Sequence, residues 1–157
     1  MKLTLRSYRQ EDFEKLYEVD QACYEPAVAY SRRELRNYLR FPGAECVVAE
    51  AESNMAGFCL TARQGAQGHI ITIDVLKPFR RRGIGTALLA EIEKGLAKNG
   101  VLEVGLETAT DNDSAIAFWE RHGYRTVGVW KGYYPGGRDA FAMVKALAPP
   151  KLAKKGT

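Results

Sequence analysis

The 157 residues predict a mixed α/β fold, an α+β arrangement of about seven strands in one sheet with four helices. Three observations lead there. Short β-branched runs alternate apolar and polar residues, while longer runs repeat their apolar residues every three or four, so both structural periods are present. Two adjacent strand runs are joined by a short turn, which makes an antiparallel hairpin. A third strand run is followed by a helix and another strand, which makes a crossover. The resulting order, βααβββαβαββ, puts hairpins and one crossover into the same sheet. Residues 1–147 read as a single domain, large enough to bury a core, and residues 148–157 as a basic, disordered tail.

Lys2 to Tyr8 alternates Leu3 and Leu5 with Thr4 and Arg6, a half-buried strand. Gln10 to Cys23 sets Phe13, Leu16, Tyr17 and Val19 at helical spacing, with acidic residues in the first turn. Tyr24 to Tyr30 is a loop broken by Pro26. Ser31 and Glu34 form a capping box for a helix carrying Leu35, Tyr38 and Leu39, which Pro42-Gly43 ends. Strands at Glu45–Ala51 and Met55–Ala62 are joined by a turn at Ser53-Asn54. The chain then runs through a central strand and a long helix that stops at Asn99-Gly100. Val101 to Glu107 is a strand, Ala115 to His122 a short helix, and Tyr124–Lys131 with Asp139–Ala146 a last strand pair.

The central stretch carries the chemistry. Ile70, Ile71, Ile73 and Val75 form the strand, Arg80-Arg81-Arg82-Gly83-Ile84-Gly85 follows, and Ile84, Leu88, Ile92 and Leu96 mark one face of the helix beginning at Thr86. Strand, glycine turn, helix aims unpaired N–H groups and a positive dipole end at one spot, where an anion is stabilised. Gly83 and Gly85 remove side chains from the approach, and the arginines add charge. The same string also fits a plain tight turn beside a solvated arginine edge. It is neither a Walker loop nor a dinucleotide fingerprint, since position 88, where a third glycine would stand, holds Leu88.

Composition limits the partners. Lys151, Lys154 and Lys155 lie in the tail, and without them 20 basic residues face 19 acidic ones. The body is therefore nearly neutral, which argues against nucleic acid. Cys23, Cys46 and Cys59 are odd in number and lack metal-ligand spacing, so a reducing, cytoplasmic setting and no metal are expected. No stretch is long and apolar enough for a membrane span or a signal sequence.

Arg80-x-x-Gly83-x-Gly85 after a strand and before a long helix resembles the signature of the GNAT acetyltransferase superfamily. Leu106-Glu107-Thr108, Asn112, Ala115-Ile116-Ala117 and Gly123-Tyr124 extend the resemblance. Tyr133-Tyr134-Pro135 with Gly137-Arg138-Asp139-Ala140 is similar to the ribosomal-protein N-terminal alanine acetyltransferase (RimI) type. The resemblance implies the GNAT fold and acetyl-CoA as cosubstrate, held by Ile73, Val75, Leu76, the run Arg80, Arg81, Arg82, Gly83, Ile84, Gly85 and Thr86, and Asn112. A backbone N–H at Val75 or Leu76 would stabilise the oxyanion. Asn112 fits equally a contact to the pantetheine arm and a plain helix N-cap.

Glu107 matches the family's base, with a solvated strand-end acid as the alternative, and His69 is the second candidate. The tyrosine that protonates coenzyme A in the RimI type falls at Trp119, whose indole only donates hydrogen bonds. Either the thiolate leaves unassisted or through water, or another phenol replaces that tyrosine, with Tyr134 the one assigned to catalysis and Tyr124 and Tyr133 as further phenols. Tyr24, Glu25, Tyr30 and Tyr133 are expected around the acceptor, or else as packing for the last hairpin. The implied function is transfer of acetyl to a primary amine by direct attack in a ternary complex, the acceptor being a protein or peptide N-terminus and the enzyme a monomer or homodimer. Small-molecule amine acetyltransferase and non-catalytic acyl-CoA-binding regulator are the competing readings.

Overall fold

The structure, a computed structural model, describes residues 2–148, so all of the expected tail except Ala148 lies outside the described residues. The strands are β1 (Leu3–Ser7), β2 (Ala44–Ala51), β3 (Asn54–Gln64), β4 (Gln67–Val75), β5 (Glu103–Ala109), β6 (Arg125–Trp130) and β7 (Ala140–Ala146). The helices are α1 (Phe13–Cys23), α2 (Arg32–Arg40), α3 (Ile84–Lys98) and α4 (Asp113–Arg121). One seven-stranded sheet has the order β1-β2-β3-β4-β5-β7-β6. Every neighbouring pair is antiparallel except β4 and β5.

Strand alternation decides which helix each residue meets. Val48, Phe58 and Leu60 pack with Leu16 and Val19 of α1 and Leu35 of α2. Their neighbours Ala49 and Cys59 turn the other way, onto Leu88, Ile92 and Leu96 of α3. Leu16, Leu35, Leu88, Ile92 and Leu96 are completely buried, each worth about 1.5–3 kcal/mol of transfer free energy.

Local signals held where a side chain could act alone. Both arms of the α2 capping box form, Glu34 N–H to Ser31 Oγ at 3.1 Å and Ser31 N–H to Glu34 Oε1 at 3.0 Å. The first three residues of the expected first helix instead make a 3-10 turn, Gln10–Asp12. There Asp12 accepts twice from the Arg6 guanidinium at 2.8 Å and once from the Arg9 N–H at 2.7 Å, which fixes that turn apart from α1. The β2–β3 turn is Glu52-Ser53, one residue earlier than expected. Both residues are left-handed (φ 55° and 68°), the hand that matches the twist of a two-residue hairpin.

The feature that positions the site is a parting of strands. β4 and β5 are in register only over Gln67–His69 against Glu103–Gly105. Beyond His69 the β3–β4 register slips: Thr61 faces Ile70 and Leu60 faces Thr72, so Ile71 is an extra residue that bends β4. β5 meanwhile continues straight against β7 as far as Ala109–Ala140. A wedge opens between them.

Candidate active site

The wedge is a cleft of about 790 Å³, walled by β4 and β5, by the loop after α1, by the loop between β6 and β7, and by α4. The edge of β4 that β5 has left is a row of backbone groups. The carbonyls of Ile71, Ile73 and Val75 accept from Tyr30 Oη at 3.3 Å, Tyr24 Oη at 3.3 Å and Arg80 Nε at 2.8 Å. Residues of the other parity turn toward β3, and the Leu76 N–H donates to the Ala56 carbonyl at 2.8 Å. Of the two expected oxyanion donors, Leu76 is therefore excluded, and the Val75 N–H is the one on the cleft side.

Where the wedge stands open, beyond Val75, Arg81 (φ 62°) and Gly83 (φ 78°) turn the chain into α3. The N–H groups of Ile84, Gly85 and Thr86 occupy its first turn, where a helix has no carbonyl to offer them. Gly85 lies on the ring of Phe118, and a Cβ there would sit 3.3 Å from it. The three arginines do not converge. Arg80 is tied to Val75, Arg82 lies 5.8 Å from the Phe79 ring centre, and Arg81 is exposed. Thr86 Oγ1 meets His122 Nε2 at 3.1 Å. Sequence reading missed His122, which is 36 residues distant and looked like a helix end.

Where the strands begin to part, Glu107 Oε1 accepts from His69 Nε2 at 2.7 Å and from Tyr133 Oη at 3.1 Å. Burial pushes the Glu107 carboxyl up, but the His69 hydrogen bond and charge, with the Tyr133 hydroxyl, outweigh it and hold the group below the ordinary carboxylate range. The two candidates proposed separately from sequence are thus one pair.

Trp119 is buried, with Phe118 and Tyr124 edge-on at 5.1 Å. Tyr124 cannot replace a missing acid, because its hydroxyl donates to Glu93 Oε2 at 2.6 Å on the α3 side. Tyr134 lines the cleft, and burial and Glu107 raise its phenol above the ordinary value. Asn112 caps α4 through Oδ1, which accepts the Ala115 N–H at 3.2 Å, as the N-cap reading expected, and it also lines the cleft.

On the outer side, Tyr24 and Tyr30 stand on the loop after α1, with their hydroxyls already bound to β4. Tyr133, likewise engaged, stacks edge-on with Tyr134 at 5.0 Å. The hydroxyls of Tyr24, Tyr30 and Tyr133 are thus all engaged within the protein. Glu25 is reached by Arg138 at 3.6 Å, while the same guanidinium holds Asp111 at 2.8 Å, so three loops are clasped together. Beneath the first loop lie Asp20 and Asp74, both fully buried and both missed from sequence. Among the described residues no His/Cys/Asp/Glu group is arranged to hold a metal ion, and no helix is long and apolar enough to cross a membrane.

A parted parallel pair with a helix N-terminus at one end and an acid–imidazole pair at the other suits acyl transfer. The sequence profile of the acetyltransferase (GNAT) family matches residues 13–124, and the chain belongs to that family. It is an acyltransferase, which removes the non-catalytic reading. An N-alpha-acetyltransferase of Saccharolobus solfataricus is 27% identical over 157 residues, covering 92% of this chain and 93% of that protein. The ribosomal-protein-S18-alanine N-acetyltransferase of Escherichia coli superposes with a TM-score of 0.86 at 24% identity, over 98% of this chain and 99% of the other. Ard1 from Thermoplasma volcanium gives 0.86 and 24% over 94% and 99%. These two structural likenesses speak to the fold.

Proposed function

We propose that this chain is an acetyl-CoA-dependent N-acetyltransferase whose acceptor is the N-terminal α-amine of a protein or peptide. The observation that carries the reading is the Glu107–His69–Tyr133 cluster where the strands begin to part, at one end of a cleft whose other end is a helix N-terminus. The curated relative from S. solfataricus, an N-alpha-acetyltransferase matched along nearly its whole length, supports the choice of acceptor.

Each residue has a task in this reading. The first-turn N–H groups of α3 and the positive end of its dipole bind the diphosphate, and the bare backbone at Gly85 lets it come close. Asn112 faces the pantetheine arm. The thioester supplies an acyl group already activated for attack. The Val75 N–H polarises its carbonyl and stabilises the charge that develops there. Glu107, ionised at neutral pH, attracts the incoming ammonium and takes its proton, directly or through water. His69 Nε2–H donates to that carboxylate and holds it in place, and the proton leaves Glu107 to water. Tyr134 keeps its own proton in the cleft and passes it to the departing thiolate.

Selection of an α-amine over a lysine follows from the walls. The Tyr24–Tyr30 loop and the 132–138 loop, joined through Arg138, narrow the entrance to an extended chain end. The test is acetylation of short peptides with free N-termini against the same peptides blocked at the N-terminus and carrying a lysine. Free N-termini should react and blocked ones should not. Equal rates on both, or activity confined to small polyamines, would overturn the α-amine reading and leave the acetyltransferase standing.

A further inference from the structure

Asp20, near the end of α1, and Asp74, on β4, are 0% and 1% exposed. Asp20 lies close enough to Asp74 to act directly on its carboxyl. Asp20 Oδ2 accepts the Tyr30 N–H at 2.8 Å, and Asp74 Oδ1 accepts the Thr72 hydroxyl, which itself meets Tyr24 Oη at 3.0 Å. The two remaining oxygens, Asp20 Oδ1 and Asp74 Oδ2, have no donor among the described residues. Two ionised carboxylates in such a place would repel each other without solvent to screen them. One proton placed between the two orphan oxygens removes the repulsion and supplies the missing donor.

The surroundings offer no other remedy. Cys23 and Tyr24 from the end of α1, Tyr30 from the following loop, Cys46 of β2 and Cys59 of β3 are the titratable groups around the pair. Burial raises all five, so each is neutral at ordinary pH. Arg80, on the same flank, is turned to the Val75 carbonyl.

We propose that Asp74 and Asp20 share a single proton, and that this acid–carboxylate bridge is the positioning element that fixes the Tyr24–Tyr30 wall against β4. Only the wall's role toward an acceptor rests on the function proposed above; the bridge does not. Asp74 is the acid and donates from Oδ2 to Asp20 Oδ1. Asp20 holds the loop through the Tyr30 N–H, and Asp74 holds Tyr24 through Thr72. Burial and then the Asp20 charge push the Asp74 carboxyl well above the ordinary carboxylate range. Folding therefore takes up a proton: the bridge stabilises fully below the ordinary carboxylate range, and that stability is lost as pH rises through the raised value.

The test reads the proton and the loop separately from turnover. Infrared spectra at neutral pH should show a protonated carboxylic acid band that D74N lacks. Exchange of the Tyr30 amide, corrected for its intrinsic rate, should accelerate about tenfold per pH unit above the titration of the pair. In D74N, whose amide donates to Asp20 at every pH, that exchange should stay flat. D74A should raise the acceptor KM about tenfold with acetyl-CoA affinity unchanged, while D74N stays near wild type. No acid band, a Tyr30 amide indifferent to pH, or the same pH response in D74N overturns the proposal. If D74N does not fold, D20N puts the amide donor on the other side of the pair and carries the same comparison. Loss of α-amine preference with these spectra intact would overturn the acceptor reading instead.

Discussion

His69 and Glu107 meet diagonally, across a residue with no side chain. His69 is registered opposite Gly105, the last rung of the parallel pair, and Glu107 lies two residues further along the same face of β5. The imidazole reaches past that rung to the carboxylate at 2.7 Å. The contact spans the point where the strands begin to part.

Glu107→Gln should lower kcat by about a hundredfold or more while leaving acetyl-CoA affinity unchanged. Steady-state kinetics beside calorimetry checks this, and near-normal turnover would move the proton to His69 or solvent. The sign of the pH effect follows from the lowered Glu107 carboxyl. Its contact with His69 stabilises that end of the cleft above the ordinary carboxylate range and weakens as pH falls through the lowered value. No inflection of kcat/KM near neutral pH should vanish in Glu107→Gln.

Gly85→Glu should weaken acetyl-CoA binding by about a hundredfold or more, by adding a charge at the diphosphate and a Cβ 3.3 Å from Phe118. Unchanged affinity by calorimetry in a folded variant would remove the α3 cradle. Gly85→Ala tests the steric part alone, and the Phe118 ring edge can yield a few tenths of an ångström to it.

Tyr134→Phe should reduce kcat about tenfold to a hundredfold with KM for acetyl-CoA little changed. Trp119→Tyr, in contrast, should not accelerate turnover if Tyr134 already supplies the proton. A faster Trp119→Tyr enzyme would show that a missing acid limits the rate.

Gly57→Ala addresses the frame of the site. A Cβ at Gly57 would lie 2.2 Å from the Asp74 carbonyl oxygen and 3.1 Å from Val75 Cα, both backbone atoms that cannot step aside. A loss of about 2–4 kcal/mol is expected in denaturant melts. A stability within error of wild type would mean that β3 and β4 can slide apart more easily than their register implies.

What the sequence revealed and what it hid divide by range. The Ser31–Glu34 box, the glycine turn before α3 and the crossover are local patterns, readable from spacing and side-chain type. The parting of β4 from β5 is not, because HIITIDV holds no Gly or Pro to mark the bulge at Ile71. That bulge and the direction of the ladder decide whether Leu76 or Val75 faces the cleft, so both had to stand as oxyanion donors until the register was seen. His69 and Glu107 were each picked out by resemblance, but their pairing depends on the register of His69 opposite Gly105, 36 residues away. Asp20 and Asp74 stand 54 residues apart and belong to none of the motifs read from the sequence. Only the packing of α1 on β4 brings them together.

The strand order has a consequence for how the enzyme is made. Among the described residues β7 is the last strand yet internal in the sheet, between β5 and β6, and β6 pairs with no other strand. A polypeptide halted before Ala140 leaves β6 with no neighbour and β5 with only its three rungs to β4. The Glu107 side of the cleft is therefore assembled only when the final strand slots in, so during synthesis the cleft is completed late, after the α3 turn and the β1–β4 layer have already had the chance to form.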